Sequence, residues 1–323
     1  MGRTYSLNGY LNAVLQRSTP TLLVEGITDK ATMHRLVAER PQNVRRLYSI
    51  DHSGLFEDET LRGLGAREKV QRVQAEALRL SPQFGKLTKS LAYLLDREWD
   101  GLAVDPTELV EGWGPPAQLN SSFITLGHSI ENYHFDVDCF TDYLKFGFFE
   151  NFSAELERKV RQSFQGAIAL AGALSCAARD DRCISRLSGL LSPRYIELRG
   201  DERFYLLPSL AEQIQSRCNF DALVFISNVN QAVDSHWTAL SANPNSRWVL
   251  HGHLGSEALW ACIGMTAIHS GVTPDIGEQI AKGFQQERRR CWLTWLSKAE
   301  ANVRYPLDLA VDWLLESTAE AGA

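Results

Sequence analysis

PTLLVEGITDK, residues 20–30, is an apolar run that ends in Glu25-Gly26 and is followed closely by Asp29-Lys30. The unbroken apolar stretch TLLVE (21–25) predicts a strand buried on both faces, which is the habit of parallel sheets. A carboxylate at the C-terminal end of such a strand stands where open α/β sheets bind their ligands. Gly26, lacking a Cβ, lets backbone or a phosphate approach closely. Thr28 is the expected N-cap of a helix running to about Glu39, with Pro41 beyond its end. Asp29 and Lys30 then fall in the first turn, beside the positive end of the helix dipole. A blander reading stays open for each: Glu25 as a helix cap, Asp29 and Lys30 as a surface pair.

Outward from this stretch the pattern repeats. VRRLYSI (44–50), LAYLL (91–95) and SSFITLG (121–127) read as strands, and AREKVQRVQAEALRL (66–80) as an amphipathic helix with Val70, Val73, Ala77 and Leu78 on one side. Residues 5–17 predict a short amphipathic helix. Alternating strands and helices with short connections predict an α/β core with a mostly parallel sheet flanked by helices. It is expected to fill residues 1–140. Residues 141–323 read as a mainly helical domain, with two helices over 153–190 and a hairpin at 194–207. Short strands are expected near 222–227 (ALVFIS) and 247–252 (RWVLHG). Helices are expected over about 256–270, 274–300 and 305–319.

A second acidic cluster, Asp96-Arg97-Glu98-Trp99-Asp100, follows the apolar run 91–95. Two acidic strand ends in one α/β domain predict a shared divalent-metal site. On an extended backbone Asp96 and Glu98 point to one side and can share an ion; Asp100 has the same parity. Mg²⁺ takes few protein carboxylates and keeps several waters, so two or three acids suffice. Glu25 can join as a further ligand or relay protons. Lys30 is the candidate cation for phosphate. Glu131, at the end of the next strand, is a further catalytic candidate, although Glu131-Asn132-Tyr133 can equally be a structural hydrogen-bond knot. Arg288, Arg289 and Arg290 can hold backbone phosphate or form a solvated helix face. Asp51-His52-Ser53 reads as a turn, and His251 and His253 more simply as structural histidines. Tyr143–Phe149 is aromatic enough to stack bases, with interdomain packing the preferred reading.

The chain has 323 residues, of which 44% are hydrophobic and 22% charged, with a formal net charge of −6. That suits a globular protein with a sizeable core and excludes a uniformly basic nucleic-acid binder, though not a local basic face. Six cysteines lack CxxC or zinc-like spacing, so free thiols in a cytoplasmic setting are expected. No signal-peptide pattern opens the chain, and its most apolar helix candidate, 166–178, is too short to span a bilayer. There is no G-x-x-x-x-G-K-[ST] motif, so any ATPase must be another chain.

LLVEGITDK, then LLDREWD, then HSIENY resembles the TOPRIM-like family that carries the DUF4435 label, well over residues 20–135 and loosely over RWVLHGHLG (247–255). The resemblance implies a TOPRIM fold, in which one glutamate is general acid/base and an acidic pair holds Mg²⁺. By position Glu25 takes the first role, and Asp96 with Glu98 the second. Here the second acid is a glutamate, one carbon longer than the usual aspartate. Mn²⁺ is the expected substitute for Mg²⁺. The family's members stand beside ABC-type ATPases in bacterial anti-phage systems, the PARIS effectors among them. The expectation carried over is a nuclease effector released by its ATPase partner to cut nucleic acid, tRNA or DNA. A homodimer is expected when active, with Trp260, Trp292, Trp295 and Trp313 as candidate interface aromatics. The competing expectation is a TOPRIM module kept for binding, a sensor subunit without catalysis.

Overall fold

The computed structural model describes residues 4–41, 47–101, 105–119, 121–283 and 285–316. Four strands, β1 (Thr21–Val24), β2 (Ser49–His52), β3 (Leu91–Leu95) and β4 (Ser122–Ile124), form one sheet in the order β2-β1-β3-β4. All neighbours are parallel, with Val24 opposite His52 on one side and Leu94 on the other. The protein is therefore α/β with a parallel sheet flanked by helices, as its strand pattern predicts. Residues 44–46 of the expected second strand lie outside the described residues. Asp51 and His52 belong to that strand rather than to a turn.

Alternation sorts the sheet's side chains. Leu23, Leu91, Tyr93 and Leu95 pack with Tyr10, Leu11 and Val14 of the helix Leu7–Gln16 and with Val70, Val73 and Ala77 of the helix Ala66–Leu80. Leu22 and Val24 point the other way and are fully buried. The helices Ile27–Glu39 and Leu307–Glu316 pack against β1. Arg40 binds Asp308 at 3.2 Å and Asp312 at 2.8 Å, tying those helices together. Gly26, not Thr28, caps the first of them. The chain enters the helix directly after Glu25, and Asp29 Oδ2 accepts the Gly26 N–H at 2.7 Å, a capping-box contact.

Two compact units emerge, and the division differs from a single cut at residue 140. The first comprises residues 1–97, 115–126 and 297–323, and so holds the sheet; the second comprises 98–114 and 127–296. The second is built on the 27-residue helix Ala154–Asp180 and the helix Gly252–His269. Small residues allow close approach: a Cβ on Gly264 would lie 2.5 Å from the Gly277 carbonyl oxygen. The hairpin forms as β5 (Ile196–Leu198) and β6 (Phe204–Leu206). Its left-handed residue is Glu202, at φ 64°, rather than Gly200 or Asp201.

Two expected strands are helical. Residues 222–227 open the helix Ala222–Ser235, whose N-terminus is capped by Asp221 Oδ1 through the N–H groups of Leu223 and Val224. Ala222, Phe225, Ile226, Val229 and Val233 are buried, a 3.6-residue spacing that an apolar pentapeptide cannot reveal by itself. Residues 247–252 contain a 3₁₀ turn, Ser246–Val249, and the start of the helix Gly252–His269. The carbonyls of Arg247 and Leu250, which a strand would offer to a ladder, accept the Asn132 amide at 2.6 and 2.9 Å.

Candidate functional site

In the order β2-β1-β3-β4 the chain steps from β1 to one side and then returns to the other, so the switch point lies between β1 and β3. That crevice, at the carboxyl ends of the strands, is where doubly wound sheets bind ligands. Glu25 leaves β1 there and Asp96 leaves β3. Glu25 Oε1 accepts the Asp96 N–H at 2.8 Å. The Glu25 carbonyl accepts the Ser53 hydroxyl at 2.6 Å and the Ser53 N–H at 3.3 Å. The side chain is thus held by the end of β3 and the backbone by the residue after β2, with Glu25 only 8% exposed. Arg97 is buried as well; its N–H donates to Thr125 Oγ1 at 2.9 Å and its guanidinium to the Leu126 carbonyl at 3.4 Å. Ser53, Thr125 and Arg97 escaped the sequence reading. Hydroxyl residues just past strand ends were the available signal.

The expected alternation of Asp96, Glu98 and Asp100 fails. β3 ends at Leu95, and Glu98 is left-handed at φ 52°, in a turn that also contains Gly101 at φ 68°. A left-handed residue breaks the extended path, so parity says nothing about Glu98 or Asp100. The Glu98 N–H donates to the His128 carbonyl at 2.7 Å. Asp96 belongs to the first unit, Glu98 and Asp100 to the second. Among the described residues no group of three or more His, Cys, Asp or Glu is arranged to hold a metal ion. The first unit offers Glu25 and Asp96, two hard oxygen donors on adjacent strand ends, which suits Mg²⁺ completed by water. Asp29 serves as the cap on Gly26. Lys30 is half-buried and pairs with no carboxylate among the described residues.

Glu131 lies in the second unit, on the 3₁₀ turn Ile130–His134. Its Oε2 accepts the Ser129 hydroxyl at 2.6 Å, and its Oε1 lies 3.9 Å from His253 Nδ1. Asn132 is fully buried; besides its two amide donations it accepts the Ser129 N–H at 2.9 Å. Tyr133 packs against Trp248 at 5.1 Å. Gly252 permits this knot, since a Cβ there would meet Ser129 Oγ at 2.0 Å. His251 is structural: its Nδ1 accepts the Leu254 N–H at 3.2 Å, its ring lies 4.4 Å from that of His128, and burial pushes its pKa down to about 4.

The arginine cluster does not act as one surface. Arg288 is drawn inward, 4.1 Å over the Trp260 ring, with its guanidinium donating to the Ile280 carbonyl; burial lowers its pKa. Arg289 is half-buried and Arg290 exposed, because three successive helical positions face three directions. Trp260 and Trp292 are buried, so they fill the second unit rather than present a surface. Within 143–149, Tyr143, Leu144 and Phe148 join that same core, leaving Phe146 and Phe149 exposed. No described helix is long and apolar enough to cross a membrane. No protein-family model matches the chain, and no curated protein matches it.

Proposed function

We propose that the chain is a TOPRIM-like, Mg²⁺-dependent endonuclease whose chemistry runs at the β1/β3 switch point. The observation that carries this reading is the Glu25 carboxylate bound to the Asp96 N–H across that switch. Glu25 and Asp96 would hold the ion, which supplies charge neutralisation on the phosphate and acidifies a bound water. Glu25, oriented by the Asp96 N–H and by Ser53 behind it, takes the proton of the attacking water. Lys30, in the first helical turn, opposes the charge developing on the phosphoryl oxygens. The family resemblance extends this to a toxic effector of bacterial anti-phage defence, cutting tRNA or DNA after release from an ABC-type ATPase partner.

A second reading, a TOPRIM module that binds without cutting, is favoured by the left-handed turn at Glu98 and by the absence of a three-residue metal cluster among the described residues. One experiment separates the two. The full chain is incubated with total tRNA, single-stranded DNA and duplex DNA, with Mg²⁺ or Mn²⁺, beside Glu25→Ala. Cleavage abolished by EDTA and lowered about 10³-fold by the substitution is the expected result. A folded chain that binds nucleic acid but cleaves none under any metal leaves the binding module standing.

A further inference from the structure

Lys30 is not an isolated cation. His34 lies one turn further along the helix Ile27–Glu39, on the same face at i,i+4. His52 ends β2 opposite Val24, so its side chain shares Val24's side of the sheet, the side on which that helix packs. The Lys30 ammonium is near enough to both imidazoles to push their pKa values down, in each case after the larger effect of burial. Three nitrogen-bearing side chains thus share one side of the sheet, next to the edge that holds Glu25.

Among the acids nearby, Asp51 raises the His52 pKa, less strongly than burial and Lys30 lower it. Asp51 precedes His52 and, by alternation, points to the opposite face, where Arg17 binds it at 2.5 Å. Asp29 caps Gly26. Arg35 and Glu39 pair with each other at 2.7 Å. Both histidines are also fixed in place. His52 Nδ1 accepts the Gly54 N–H at 3.2 Å, which leaves Nε2 to carry the proton as a donor. Gly54 is needed there, since a Cβ would lie 2.8 Å from His52 Cε1. His34 Nδ1 sits 3.2 Å from the Tyr48 hydroxyl.

We propose that Lys30, His34 and His52 form a phosphate-binding subsite that grips the nucleic-acid backbone at the edge beside Glu25. The proposal rests on the nuclease reading of the same edge. One cation, the His52 Nε2–H and the His34 imidazole beside it match the several oxygens of a phosphodiester.

The test uses the full chain in EDTA, so that nothing is cut, with a fluorescent single-stranded oligonucleotide read by anisotropy. The double variant His34→Phe, His52→Asn keeps a ring beside Tyr48 and an acceptor for the Gly54 N–H. It is expected to bind about tenfold more weakly, with Lys30→Ala reducing the salt slope by about 1. Binding by the double variant equal to that of the unaltered chain overturns the subsite. A second measurement, titration with inorganic phosphate read on the imidazole resonances of the unaltered chain, does not depend on the variants folding. If the unaltered chain binds no oligonucleotide, the nuclease reading fails by itself. Phosphate shifts at His34 and His52 then uphold the subsite, and their absence removes it.

Discussion

The edge at Glu25 and the knot at Glu131-Asn132-Tyr133 read alike in sequence, each a polar cluster just past an apolar strand. The structure uses them differently. At Glu25 the backbone serves the side chain: the Asp96 N–H past β3 holds the carboxylate, while the Ser53 hydroxyl and N–H past β2 hold the carbonyl of the same residue. At Asn132 the side chain serves the backbone, joining carbonyls of Arg247 and Leu250 to the N–H of Ser129. A polar residue oriented by its surroundings is available for chemistry. One that satisfies its surroundings is committed to folding, because a buried backbone group without a partner costs more than a hydrogen bond gains.

That contrast predicts opposite signatures for substitutions. Asn132→Ala strands two carbonyls and one N–H, and is expected to destabilise the second unit by about 3 kcal/mol, read by urea denaturation. Glu25→Ala is expected to lose activity with little change in the same curve. Equal destabilisation by both would erase the distinction.

A smaller effect separates the units by pH. His134, in the knot's own 3₁₀ turn, is buried beside Trp292 at 4.5 Å, and burial pushes its pKa down to about 3. Its unfolded pKa is about 6.5, so below that pH the unfolded chain takes up a proton the folded one refuses. Its contribution to stability is complete above pH 6.5 and falls as the pH drops towards 3. By pH 5 the loss is about 2 kcal/mol. Thermal melts at pH 7 and 5 for the native chain and His134→Phe measure it: the substitution is expected to flatten the drop, and an undiminished drop would assign it elsewhere. The smallest expected effect lies on the sheet side. Asp29→Ala removes the acceptor for the Gly26 N–H and is expected to lower stability by about 1 kcal/mol, seen as a modest shift in melting temperature. A loss of cleavage far beyond that shift would give Asp29 a part in catalysis.

Legibility in the sequence followed the range of the interactions. The strands at 21–25, 91–95 and 121–127 and the helices at 66–80 and 153–190 were readable because burial periodicity is local. Glu25 and Asp96 were readable as acids at strand ends for the same reason. Glu98 and Asp100 were misplaced because a left-handed turn interrupts an alternation that was assumed to continue. Arg288 was misplaced because a basic run says nothing about which member finds an aromatic stack. The run 222–227 carries no period of its own, so its helix shows only in the later spacing of Val229 and Val233 and in the Asp221 cap.

By itself the chain determined that a parallel α/β sheet forms and which acids stand at its strand ends, since side-chain alternation and apolar runs are properties of a few neighbouring residues. Only the tertiary structure decided that β1 and β3 are adjacent, so that Glu25 meets Asp96 from 71 residues away. It likewise decided that Asn132 closes the loop at Arg247, 115 residues on. Hydrogen bonds across such separations depend on the order in which strands and helices pack, and a buried donor takes whichever acceptor that packing brings within reach.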